Sequence, residues 1–167
     1  MLSRFCDVLA VRTFAQQELA DYAYWASIPV INALTDLEHP CQALADFLTM
    51  QEAFGELQGQ TLTYVGDGNN VAHSLMLCGA LLGVNVRIAC PDGFEPLPGV
   101  LDQARSLAVG GAEISVTTDP EAAVAGAQAL YTDVWASMGQ EQEQLERAQA
   151  FQGLSLIHIS EPTRPLR

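Results

Sequence analysis

A chain of 167 residues, 49% apolar and 16% charged, can bury a sizeable core and has room for one domain or one and a fraction. Twenty acidic residues against seven Lys plus Arg give a formal charge of −13, which argues against the basic stripe of a nucleic-acid surface. A small anion is not excluded, because a few Arg side chains and helix N-termini can hold one inside an acidic protein. No apolar run reaches the roughly 18–20 uninterrupted residues of a membrane helix. The longest, "VAHSLMLCGALLGV", carries His73 and Ser74. The opening "MLSRFCDVLAVR" lacks the basic region and cleavage site of a signal peptide. A soluble, cytoplasmic protein with no membrane partner is expected. Cys6, Cys41, Cys78 and Cys90 form no CxxC pair, and with His39, His73 and His158 they show no zinc spacing, so free thiols and no metal site are expected.

In chain order, "DVLAVRT" predicts a strand, "AQQELADYAYWA" a helix and "IPVINAL" a second strand. A long helix follows from His39 to about Phe54, with Pro40 in its first turn, where a missing N–H costs nothing. Leu44, Phe47, Leu48 and Phe54 supply its expected apolar stripe. After the Gly55–Gly59 punctuation, "TLTYVGD", "NVRIACP", "AEISVTT" and "ALYTDVW" read as strands. Between them, "NVAHSLMLCGALLG", "GVLDQARSLAVGG" and "PEAAVAGA" read as helices, and "QEQEQLERAQAF" as a polar helix at the end. Strand–helix alternation of this kind implies parallel sheets with right-handed crossovers.

The expected class is therefore α/β: two Rossmann-like parallel-sheet domains joined by a long helix, the first incomplete. Residues 1–45 are expected to be the C-terminal remnant of the first domain, since strand–helix–strand is too little to close a core. Residues 46–153 make the second. The end "LSLIHISEPTRPLR" breaks both period and composition and resembles translated sequencing-adapter read-through, so residues 154–167 are expected to be a non-native tail.

Four stretches carry chemistry. In "HPCQ", His39 and Gln42 are three apart on a helix and share a face at its N-terminus, where free N–H groups favour an anion or a developing negative oxygen. A neutral His donates to a carbonyl and Gln both donates and accepts, which suits a carbamoyl group better than a metal. A His cap with a solvated Gln fits the pattern as well. Arg12 ends the strand "VLAVR", at the edge where parallel sheets bind ligands, and is suited to a carbonyl or phosphate or to a surface carboxylate. In "YVGDGNNVAHSL", Gly66 and Gly68 resemble the start of a dinucleotide fingerprint, but Val71 stands where the third glycine belongs. Asn69 and Asn70 there suit the carboxylate of an amino acid, or a helix cap. Asp133, ending "ALYTD", suits an amino acid's ammonium group, or a turn.

Together and in this order, "VRT", "HPCQALADFLTMQE", "YVGDGNNVAHSL" and "YTDVWASMGQE" resemble the ornithine carbamoyltransferases from residue 1 to about Gly153. H-P-x-Q is shared across the wider carbamoyltransferase family, while "GDGNN" and "DVWASMGQE" point to ornithine. The resemblance implies a first domain for carbamoyl phosphate and a second for L-ornithine, in a homotrimer. The implied reaction yields L-citrulline and phosphate in arginine metabolism and needs no cofactor. By carry-over, Arg12 and His39 would contact the carbamoyl oxygen and act as the catalytic pair, and Gln42 the carbamoyl amide. Asn70 and Asp133 would bind ornithine, aided by Ser137 and Met138, with Asn69 a weaker candidate. Cys41, at the variable position of the motif, receives no role.

Two departures stand out. The family's phosphate-gripping Ser-Thr-Arg-Thr-Arg motif belongs upstream of residue 1, and its His-Cys-Leu-Pro motif belongs beyond residue 153. Met1 falls where relatives carry an aliphatic residue within a helix, which implies a start inside a longer reading frame. A fragment of low activity is therefore expected. Rival expectations are a carbamoyltransferase for another amine, such as putrescine or an acylated ornithine, and a non-catalytic amino-acid-binding fragment.

Overall fold

The computed structural model describes residues 2–134 and Phe151. A 3-10 turn (Leu2–Arg4) leads into β1 (Leu9–Arg12), α1 (Gln16–Trp25) and β2 (Val30–Leu34). Strands β1 and β2 pair in parallel, joined through α1 as one crossover unit. The helix α2 (Pro40–Phe54) follows, and Gly55 ends it at φ +81°, a left-handed conformation that favours glycine.

The second unit contains β3 (Thr61–Val65), α3 (Asn70–Leu82), β4 (Asn85–Ala89), α4 (Pro98–Leu107), β5 (Ile114–Thr117), α5 (Pro120–Val124) and β6 (Ala129–Thr132). Its four strands are all parallel in the order β5-β4-β3-β6. The expected α/β class with parallel sheets is thus the observed one. The polar helix expected over 140–151 and the tail beyond 153 lie outside the described residues, Phe151 excepted.

Strand β3 is buried along its whole length because helices cover both faces of its sheet. Alternation divides it: Leu62 and Tyr64 join Val86 and Ile88 in packing against α2 and α3, where Phe47, Leu75, Met76 and Ala80 complete the main core. Val65 faces the other way, with Ala89, Ala123 and Phe151. On that side Thr63 Oγ1 donates to Ala123 O at 2.8 Å, so its polar group is satisfied.

One expectation about α2 fails. Its buried stripe is Ala43, Phe47 and Met50, whereas Leu44, Leu48 and Phe54 are 59%, 56% and 44% exposed. Two apolar rows run side by side on this helix, about 100° apart per residue, and periodicity does not say which row meets the sheet. The contact with α3 selects the row through Phe47.

Gly79 is where α3 comes closest to the sheet. A Cβ there would sit 2.3 Å from Val86 Cγ2 and 3.1 Å from the Phe47 ring. Gly79→Ala should therefore overpack the core and cost about 1–3 kcal/mol. Urea unfolding should show a lower midpoint, and an unchanged midpoint would contradict this packing.

Candidate functional site

Parallel pairing brings the carboxyl ends of the strands in each sheet to one edge, and the chemistry-bearing residues follow those ends. Arg12 is the last residue of β1, and His39 follows β2 at the start of α2. Asn69 follows β3, and Asp133 follows β6. Strand β3 has β4 on one side and β6 on the other, so the order reverses between β3 and β6. At such a switch point the loops diverge and leave a crevice. Asn69 Nδ2 donates to Asp133 Oδ2 across it at 3.3 Å.

The turn from β3 to α3 is built for close approach. A Cβ on Gly68 would lie 2.2 Å from Pro96 N, and the Gly68 N–H donates to Phe94 O at 2.8 Å. This glycine admits the loop after β4. Asn69 then caps α3, its Oδ1 accepting from the amides of Val71 and Ala72 at 3.0 and 3.3 Å.

Asn70, His73 and Ser74, spaced i, i+3, i+4, lie on one face of α3 and all bond the segment leading into α2. Asn70 Nδ2 donates to Thr35 O at 2.6 Å. His73 Nδ1 lies 2.8 Å from Leu37 O, and the His39 amide donates to Ser74 Oγ at 2.8 Å. The Leu97 amide donates to His73 Nε2 at 3.1 Å, so Nε2 is the acceptor and the neutral ring carries its proton on Nδ1. His73 is buried with both ring nitrogens used. Burial lowers its pKa, against the Leu37 carbonyl and the charges of Glu38 and Asp67.

His39 occupies the N-cap position of α2, yet its side chain makes no capping hydrogen bond, and its buried Nδ1 has no hydrogen-bond partner. Burial and the nearby Arg12 guanidinium lower its pKa, opposed by Asp133 and Asp46. Those four groups come from β1, the α2 region and the end of β6, so one site draws on both sheets. One and two turns further along α2, Gln42 Nε2 donates to Asp46 Oδ1 at 3.0 Å. Burial raises the pKa of Asp46, while Gln42, the Tyr131 phenol and His39 act to lower it. Tyr131 is pushed up to about 12, by burial first and then by Asp46 and Asp133. Its ring stacks on Tyr64 with centroids 5.7 Å apart, and the Tyr64 hydroxyl reaches Asn69 Oδ1 at 3.5 Å.

Two family models match the chain. The one described as aspartate/ornithine carbamoyltransferase, carbamoyl-P binding domain, covers residues 1–52. The one described as aspartate/ornithine carbamoyltransferase, Asp/Orn binding domain, covers residues 58–157. The chain belongs to this family. It is 81% identical over 153 residues to an ornithine carbamoyltransferase of Parasynechococcus marenigrum, a match covering 92% of this chain and 48% of that protein. The crystal structure of ornithine carbamoyltransferase from Gloeobacter violaceus aligns with a TM-score of 0.79 at 53% identity, over 87% of this chain and 50% of that one. The ornithine carbamoyltransferase from Pyrococcus furiosus gives 0.85 at 48% identity, over 90% and 48%. The chain spans about half the length of the curated relatives it matches.

Of the residues singled out in the sequence, Arg12 and Asp133 both act on the His39 imidazole, Gln42 bonds Asp46 on the same helix, and Asn69 bonds Asp133. Asn70 gives its amide nitrogen to Thr35. Ser137 and Met138 lie outside the described residues. Asp46, Tyr64, Tyr131, His73 and Ser74 were missed by sequence reasoning; Asp46 had a legible signal, standing i+4 from Gln42 on the same helix face. A cavity of about 500 Å³ under α1, lined by Leu2, Tyr22 and Trp25 among others, includes none of these residues. Among the described residues, no three His, Cys, Asp or Glu side chains are grouped to hold a metal, and no helix is long and apolar enough to cross a membrane.

The depressed pKa of His73 sets a sign for pH dependence. An unfolded His titrates near about 6.5, so below that pH the unfolded chain binds more protons than the folded one. Stability present above that value is lost as the pH falls toward the lower folded pKa, and His39 contributes in the same direction. Thermal midpoints measured from pH 7.5 to 5.5 should fall on acidification. His73→Gln should lower the midpoint at pH 7.5 but flatten the slope; an unflattened slope would contradict the neutral tether.

Proposed function

We propose that this chain carries the central part of an ornithine carbamoyltransferase site, the part where the carbamoyl carbon meets the amine. One observation carries the reading: Arg12 and His39, from the carbamoyl-P-binding match, lie close enough to influence one another, and Asp133, from the Asp/Orn-binding match, acts on the same imidazole.

The chemistry follows from those groups. The uncharged δ-amine of L-ornithine attacks the carbamoyl carbon of carbamoyl phosphate. A C–N bond forms, the carbonyl electrons move to oxygen, and the C–O bond to phosphate then breaks as the amine loses its proton. L-citrulline and phosphate result. Arg12 and a neutral His39 donate to the oxygen as its charge develops, a contribution of about 3–4 kcal/mol per donor. The depressed pKa of His39 suits this role, because a neutral imidazole donates one N–H without adding a second full charge beside Arg12. Gln42 receives the carbamoyl amide. Asp133 takes the ornithine ammonium, and Asn69 and Asn70 flank its carboxylate, with Ser137 and Met138 assigned to the same pocket. Closure of the two domains, divided near residue 45, brings the ligands together and excludes water, which competes for the same carbon.

The half-length match sets the expectation for the isolated chain. Purified residues 1–167 should form citrulline far more slowly than the 1–1000 s⁻¹ typical of enzymes, roughly a hundredfold or more below it. Phosphate gripping and trimer formation belong to the longer protein in this proposal. Ornithine binding is expected to survive in the chain. Calorimetry should show it, and Asp133→Asn should weaken it about tenfold or more by removing a charge-assisted hydrogen bond. Citrulline formation at an ordinary enzymatic rate would contradict the first expectation, and equal affinity in Asp133→Asn the second.

A further inference from the structure

Outside the groups given a role above, α2 carries a half-buried carboxylate, Asp46. Its Oδ1 accepts from Gln42 Nε2 at 3.0 Å, and its Oδ2 is buried without a hydrogen bond of ordinary geometry. The titratable groups that act on it are Tyr131, from β6, and His39, at the N-cap of the same helix. An ionised carboxylate only accepts, whereas a primary amide has one donor end and one acceptor end. A carboxylate held against Gln42 therefore decides which end of the amide faces it and which end faces the crevice.

We propose that Asp46 is a positioning residue that fixes the Gln42 amide, so that its oxygen faces the crevice and selects a ligand group able to donate a hydrogen bond. Resting on the function proposed above, that group is the –NH2 of the carbamoyl unit, and the near-isosteric methyl of an acetyl unit is disfavoured. A site built to hydrogen-bond a donor rejects the analogue lacking it because the oxygen of Gln42 is then left unpaired. Were Asp46 neutral, its own O–H could donate and the amide could turn over, presenting N–H where the ligand also presents N–H. Burial pushes Asp46 toward that neutral form. Selection should therefore weaken on acidification at a pH above the ordinary carboxylate range of about 4.

The test uses the ¹⁵N-labelled 167-residue chain and the side-chain amide resonance of Gln42, identified by its loss in Gln42→Ala. In the wild type, one of its two protons should be shifted downfield and slowed in solvent exchange. Both features should disappear on acidification with a midpoint above about 4. Asp46→Asn should abolish the titration, and Asp46→Glu should restore it in part, with backbone amide spectra otherwise unchanged. An amide that does not titrate in the wild type overturns the positioning role, and this arm needs no variant to fold. Carbamoyl phosphate and acetyl phosphate are then added separately. Carbamoyl phosphate should move the Gln42 resonance at a tenfold or lower concentration, an advantage lost in Asp46→Asn. Equal response to both overturns the selection of a donor. Response to neither, with the Asp46-dependent titration intact, upholds the positioning role and overturns the selection of a donor by this chain.

Discussion

The structure depends on how the segment between β2 and α2 is held. Residues 35–39 run through a half-buried place where backbone amides and carbonyls must find partners. Some are supplied locally: the Thr35 amide donates to Glu38 O at 2.8 Å, and the Glu38 amide donates to Thr35 Oγ1 at 3.1 Å. The rest come from α3, where Asn70, His73 and Ser74 bond Thr35 O, Leu37 O and the His39 amide. The join at this point is polar and directional. An apolar contact would tolerate sliding, whereas three hydrogen bonds at helical spacing fix the position of His39 along α3. Since α2 starts at Pro40, fixing His39 also fixes the direction in which Gln42 and Asp46 project.

Electrostatics then shape the crevice. Arg12 is a cation beside an imidazole that burial already keeps neutral, with Asp133 and Asp46 providing the opposing charge. The acidic groups stay apart by local bonding: Asp133 accepts from Asn69 and from the Val134 amide at 3.3 and 2.7 Å, and Asp46 accepts from Gln42 at 3.0 Å. Tyr131 feels both Asp46 and Asp133 and stacks on Tyr64, and both phenols are shifted toward keeping their protons, by burial first. The crevice therefore offers neutral donors beside one permanent cation, which suits an oxygen that gains charge only during reaction.

Much of this was legible in the sequence. Alternating strand and helix patterns give the parallel sheets, and His-Pro marks the start of α2 because proline suits a first turn. The motifs at strand ends converge because parallel pairing puts carboxyl ends on one edge. What periodicity did not reveal is which of two apolar rows on α2 meets the core, since Ala43 and Met50 are no more apolar than Leu44 and Leu48. Nor did it show the tertiary use of α3's polar face: "NVAHS" gives no sign that His73 and Ser74 reach back 35 residues or more to bond a linking segment. Gly68 looks like part of a nucleotide fingerprint in sequence, but in three dimensions it makes room for Pro96. Each of these depends on a partner far away in the chain.

The most direct measurement is residue-resolved hydrogen exchange at the His39 amide, which donates to Ser74 Oγ at 2.8 Å. Protection there should match the interior of α2, and Ser74→Ala should remove it while the amides of α3 and β3 stay protected. Rapid exchange at His39 in the unaltered chain, or protection indifferent to Ser74→Ala, would contradict the claim that α3 holds the site together.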